Sequence, residues 1–159
     1  MTIQVNDAVP SAKVKTIVGG EATETDTAEL FASGKSVLFG LPGAFTPTCS
    51  QSHLPGFVVS ADTIKNKGVE RIVCMSVNDA FVMGAWGKAS NAEEIIMLAD
   101  GNCDFSKALG LDFDGSGFGM GQRCKRFAAI IDNGTITHVF VEGPGEFEVS
   151  SAESVLKNL

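Results

Sequence analysis

Ser36-Val37-Leu38-Phe39-Gly40-Leu41-Pro42-Gly43-Ala44-Phe45-Thr46-Pro47-Thr48-Cys49 passes from an apolar run, through a turn, to the start of a helical pattern. The run from Ser36 to Leu41 reads as a buried strand, and Pro42 and Gly43 stop it. Beyond Thr48, Leu54, Phe57, Val58, Ala61 and Ile64 recur at helical spacing. A helix should therefore open near Cys49, with Pro47 in its first turn and Thr46 or Thr48 at its cap. Cys49 then lies at the positive end of the macrodipole. Free backbone N–H groups there favour an anion, and the thiolate is the nucleophilic form of a cysteine. An unselected cysteine is more often a small buried hydrophobe. Here Thr46 can direct its hydroxyl toward the sulfur or a substrate oxygen, and Pro42 can shield the site from bulk water.

Outward from this junction, strands and helices alternate. Val69 to Val77 is mostly apolar and β-branched, a central strand; Asp79 caps a helix running to about Lys88; Ile95 to Leu98 is a further strand ended by Asp100-Gly101. Asp132-Asn133-Gly134 joins Phe127–Ile131 to Thr135–Val141 as an antiparallel pair, and Ser150 or Ser151 caps a last helix. The pattern predicts an α/β fold, a mixed central sheet flanked by helices, in a single domain over residues 1–159. Pro55 falls within the helix that carries Cys49. It removes the bond to the Gln51 carbonyl and predicts a kink just past the nucleophile.

Composition excludes several classes. A net charge of −7 with 44% hydrophobic residues indicates an acidic globular chain, and neither nucleic acid nor a membrane is an expected partner. The basic cluster Arg123, Lys125 and Arg126 is short. Four cysteines without a CxxC pair, and two histidines, suit neither a disulfide scaffold nor a metal site, so no metal is expected. The N-terminus lacks a basic region followed by an apolar one, so a cytoplasmic location is expected, with a mature organellar form left open. The segment Gly115-Ser116-Gly117-Phe118-Gly119-Met120-Gly121 contains no GxGxxG at any offset and is read as a mobile loop over the site, with Phe118 and Met120 as an apolar wall. His53 follows Cys49 on the same helical side, which invites a Cys-His dyad; such a histidine more often orients backbone or lines the edge of a site.

The PxxxTxxC spacing at a strand-to-helix junction resembles the active-site segment of the peroxiredoxins. The longer stretch PGAFTPTCSQSHLPGF looks like their type II class, which includes atypical two-cysteine members. Val77-Asn78-Asp79-Ala80-Phe81-Val82-Met83 with Trp86, Ala99-Asp100-Gly101, Leu109-Gly110, Arg126-Phe127-Ala128 and Val141-Glu142 are similar in order and spacing, so the resemblance covers nearly the whole chain. It implies a thioredoxin-like fold and a thiol-dependent peroxidase that reduces hydrogen peroxide and organic hydroperoxides without a cofactor.

By motif match, Cys49 is the peroxidatic cysteine, passing through a sulfenic acid, with Pro42, Thr46 and Arg126 completing the site. Arg126 opens an apolar strand, from whose end an always-charged fork of donors can reach a thiolate and hydrogen-bond peroxide oxygens. Phe45 joins Phe118 and Met120 as a pocket candidate. The resemblance also implies a homodimer, for which Phe45, Phe81 and Trp86 are apolar interface candidates. Cys74 stands at the spacing of the second cysteine in plant-like members and is the first candidate to resolve the sulfenic acid. Its place in a buried strand, however, favours an external thiol from glutaredoxin, glutathione or thioredoxin. Cys103 and Cys124 read as exposed loop residues. A peroxide sensor or redox relay on the same fold is the alternative. A disulfide oxidoreductase is disfavoured by the missing CxxC.

Overall fold

The computed structural model describes residues 1–159. A hairpin of β1 (Lys13–Val18) and β2 (Glu21–Asp26) is followed by α1 (Thr27–Leu30) and β3 (Lys35–Gly40). A widened helical turn over Cys49–His53 leads into α2 (Leu54–Lys65), then β4 (Val69–Ser76), α3 (Ala80–Ala89), β5 (Ile96–Ala99) and α4 (Asp104–Leu109). The chain closes with β6 (Asp112–Asp114), β7 (Gln122–Cys124), β8 (Phe127–Asp132), β9 (Thr135–Val141) and α5 (Ala152–Leu156). One sheet has the order β2-β1-β5-β4-β3-β8-β9, while β6 and β7 pair separately. Strands β3, β4 and β5 are parallel, and β1 and β8 flank them antiparallel. This is the mixed sheet that the alternating pattern predicts.

From Val37 onward strand β3 is apolar, because both of its faces are covered. Val37, Phe39 and Leu41 enter the apolar layer built with α2, α3 and α5, whereas Leu38 enters the layer containing Phe105 and Leu109 of α4. Phe39 stacks on Phe57 of α2 with ring centroids 3.9 Å apart, worth about 0.5–1.5 kcal/mol beyond the area buried. At the end of β3, Gly40 leaves room for Phe127: an added Cβ would collide with that ring. The last residue of β3 is thus packed directly against the first residue of β8, with Arg126 immediately before it.

The helix after Cys49 departs from expectation in two respects. Pro47 and Thr48 open a helical stretch as predicted, but Cys49–His53 form a π turn, in which the Leu54 N–H donates to the Cys49 carbonyl five residues back. Pro55 has no N–H to offer Gln51, and the chain accommodates this by widening the turn ahead of it. Neither Thr46 nor Thr48 caps the start: Thr48 makes no side-chain cap bond, and the Thr46 hydroxyl donates to the Gly43 carbonyl at 2.6 Å.

Other predicted caps are in place. Asp79 accepts from the Val82 N–H and Ser151 from the Ser154 N–H. The turn between β8 and β9 has positive φ at Asn133 and Gly134, as a two-residue hairpin of this hand requires. Cys103 and Cys124 correct the sequence reading: both are buried, Cys103 at the start of α4 and Cys124 in β7.

Candidate active site

Cys49 has no measurable exposure. Its sulfur accepts from Arg126 Nη2 at 3.0 Å. The short link between β7 and β8 delivers Arg126 from across the sheet, and β3, hydrogen-bonded beside β8, delivers the loop that leads to Cys49. Two elements far apart in sequence thus place a permanent cation against the Cys49 sulfur.

The second Arg126 nitrogen is also committed. Nη1 lies 2.8 Å from His53 Nδ1, and His53 Nε2 lies 2.9 Å from the Ser150 carbonyl. A guanidinium can only donate and a carbonyl can only accept, so His53 carries its proton on Nε2 and offers Nδ1 as the acceptor. Burial, reinforced by the Arg126 charge, pushes its pKa down to about 3. A neutral ring engaged at both nitrogens is no general base for Cys49; it holds Arg126. Phe147 packs against the pair, 5.0 Å from the His53 ring and 5.7 Å from the guanidinium carbon.

Thr46 lies one turn ahead of Cys49, where its carbonyl accepts from the Ser50 N–H at 2.9 Å. Because its hydroxyl hydrogen goes to Gly43, the oxygen is left as an acceptor, not the donor that the sequence suggests. Pro42 is half-buried at the head of the same loop, and Arg123 Nη1 donates to its carbonyl at 3.3 Å. Arg123 also donates from Nε to the Met120 carbonyl at 2.9 Å, so it ties the tip of the β6–β7 hairpin to the loop ahead of Cys49. Gly43 leaves little room here: a Cβ would press on Arg123 Nη1 and the Thr46 methyl.

The pocket and surface candidates divide. The glycine-rich segment is a hydrogen-bonded hairpin tip, closed by Gly115 N–H to the Gly121 carbonyl at 2.6 Å. Met120 brings its methyl next to Gly43, but Phe118 is 82% exposed and walls nothing. Phe45 adopts φ 64° beside the site and packs on Trp86, ring centroids 6.4 Å apart. Trp86 itself is buried, with Nε1–H donating to Ser50 Oγ at 3.0 Å, so it braces the π turn and supplies no free surface. Phe81, in contrast, is 89% exposed.

Cys74 lies in the middle of β4, between Phe39 of β3 and Met97 of β5. It is as inaccessible as Cys49, and burial, with a smaller effect from Cys49, pushes its thiol well above the ordinary value. All four cysteines are free thiols. What sequence reasoning missed is the support behind Arg126: Glu142, Phe147 and Ser150 come from the far end of the chain, and no local spacing connects them to Cys49.

Residues 4–156 match the redoxin family. Over 99% of its length the chain is 46% identical to peroxiredoxin-2D of Arabidopsis thaliana, covering 98% of that protein. It is 44% identical to the chloroplastic peroxiredoxin-2E-2 of Oryza sativa subsp. japonica, covering 99% of this chain and 73% of that one. Among solved structures, reduced Prx3 in complex with hydrogen peroxide from Vibrio vulnificus superposes with a TM-score of 0.94 at 52% identity, covering 99% of each chain. No helix is long and apolar enough to cross a membrane.

Proposed function

This chain belongs to the redoxin family and is a peroxiredoxin, a thiol-dependent peroxidase, and on that premise we propose that Cys49 is its nucleophile, with Arg126, Thr46 and Pro42 completing the site. The observation that carries the assignment is the 3.0 Å contact between Arg126 Nη2 and the Cys49 sulfur. The Cys49 thiolate attacks one peroxide oxygen; an S–O bond forms, the O–O bond breaks, and the departing oxygen leaves as hydroxide or alkoxide, which takes up the proton released when the thiol ionised and becomes water or an alcohol. Cys49 becomes a sulfenic acid. Charge moves from sulfur to the leaving oxygen along this path, and a fixed guanidinium beside it stabilises the transition state more than the ground state. Thr46 accepts from the peroxide hydroxyl, and Pro42 limits water. Hydrogen peroxide and organic hydroperoxides are the substrates; the peroxide bound by the Vibrio vulnificus relative supports the first.

An external thiol completes the cycle: it displaces water from the sulfenic acid to give a mixed disulfide, and a second thiol releases Cys49. Glutaredoxin with glutathione, or thioredoxin, supplies it. Cys74 is not the resolving group in this scheme, since it is held between two strands as an un-ionised thiol. Four free cysteines fit a reducing compartment such as the cytoplasm. The protein acts as a homodimer. Phe45 and Phe81 are exposed, and Phe81 borders a groove of about 910 Å³ with Ala85 and Ile95 among its lining residues. A sedimenting mass of one chain at micromolar concentration would remove the dimer. Peroxide consumption with thioredoxin, glutaredoxin and glutathione supplied in turn tests the cycle: catalytic turnover with at least one supports it, whereas only stoichiometric loss with all three points to a sensor.

A further inference from the structure

Glu142 is a buried carboxylate just beyond β9, and its surroundings are unusual for one. Oε2 accepts three bonds, from the Glu148 N–H at 2.7 Å, the Ser150 N–H at 2.8 Å and the Ser150 hydroxyl at 2.7 Å. Burial alone would raise its pKa, but these donors together hold it below the usual carboxylate value, so it is a fixed anion. Its own N–H donates to the Arg126 carbonyl at 2.9 Å. Glu142 therefore grips the Arg126 backbone with one end and the 147–150 segment with the other. That segment contributes the Ser150 carbonyl that fixes the His53 tautomer and the Phe147 ring that covers the His53–Arg126 pair.

We propose that Glu142 is a positioning residue for the reaction at Cys49: through Ser150 and His53 it fixes Arg126 so that Nη2 is aimed at the sulfur. The proposal rests on the peroxidase assignment above. If the Ser150 carbonyl drifts, the His53 ring is free to exchange tautomers. With the proton on Nδ1, His53 no longer accepts from Arg126, and two N–H donors then oppose each other at the 2.8 Å contact. The guanidinium must turn away from His53, and its grip on Cys49 loosens. The charged groups that face His53 are Arg126 and Glu142 itself. Fixing a donor through a chain of supporting bonds is how a reactive group is kept in a productive geometry.

The test uses the intact protein and two readouts, the His53 ring nitrogens by NMR and the single-turnover rate of Cys49 oxidation by hydrogen peroxide. Wild type should show the Nε2–H tautomer. Glu142→Ala should show mixed tautomers and a rate lower on the order of tenfold, the equivalent of one lost hydrogen bond. Glu142→Gln, which keeps an acceptor oxygen, should shift both readouts in the same direction by less. Glu153→Gln removes an equal charge from an exposed site outside this network and should leave both unchanged. A folded Glu142→Ala with wild-type tautomer, or with altered tautomer and wild-type rate, overturns the proposal. If the alanine variant does not fold, the glutamine variant decides on the same readouts, and wild-type values in it count against the proposal. Failure of Cys49 to react in wild type would instead overturn the peroxidase assignment.

Discussion

Cys49 and Cys74 belong to the same apolar cluster and are equally shut off from solvent, yet their surroundings are chemically opposite. Cys74 sits in mid-strand among apolar neighbours, where burial keeps it a thiol. Cys49 sits in the first turns of a helical stretch with a guanidinium nitrogen 3.0 Å from its sulfur. Burial by itself makes a cysteine inert; burial with a fixed charged donor makes a reactive one. The difference is produced by β8, which runs beside β3 and brings Arg126 to one of the two sulfurs.

The contrast is broken most completely by Cys49→Ser, which should abolish peroxide turnover while the circular dichroism spectrum stays native. Next in size is a dependence of stability on pH. Folded His53 binds its proton only near pH 3, against 6.5 for the free side chain, so the unfolded chain is protonated first as pH falls. The stability contributed by neutral His53 is complete above about pH 6.5 and is lost progressively down to about pH 3, at roughly 1.4 kcal/mol per pH unit. Glu142, also lowered, adds a loss of the same sign at more acid pH. Urea titrations should show this slope, and His53→Phe should flatten it between pH 6.5 and 4.5. The smallest effect on activity is expected from Cys74→Ser. It should keep most glutaredoxin-supported turnover while losing roughly 1–3 kcal/mol of stability from the hydroxyl buried in β4. Loss of turnover with every reductant, together with a mapped Cys49 to Cys74 bridge, would make Cys74 the resolving cysteine.

How much of this was legible in the sequence varied with the range of the interaction. The strand-to-helix junction at Cys49 announces itself because apolar periodicity and the Pro42-Gly43 stop are local signals. The β8–β9 hairpin is equally plain from Asn133-Gly134. The acidic β2, Glu-Ala-Thr-Glu-Thr-Asp, escapes notice because it is an edge strand with no buried face, its order imposed by pairing with β1. Arg126 entered only through resemblance to a family, since its reach to Cys49 depends on the register of β3 against β8. The same long-range geometry hid the His53 anchor. Burial misled at Trp86, Cys103 and Cys124, where position near a loop says little about what packs over a side chain.

The central claim is that Arg126 is what sets Cys49 apart from an equally buried thiol. Single-turnover oxidation by hydrogen peroxide, in wild type, Arg126→Ala and Lys125→Ala, tests it most directly. Lys125 is exposed and carries the same charge one residue away, which makes it the control. The rate should fall by about 10²–10³ in Arg126→Ala, the usual cost of one transition-state donor, and stay at the wild-type value in Lys125→Ala. A wild-type rate in Arg126→Ala, or an equal loss in both variants, would contradict the claim.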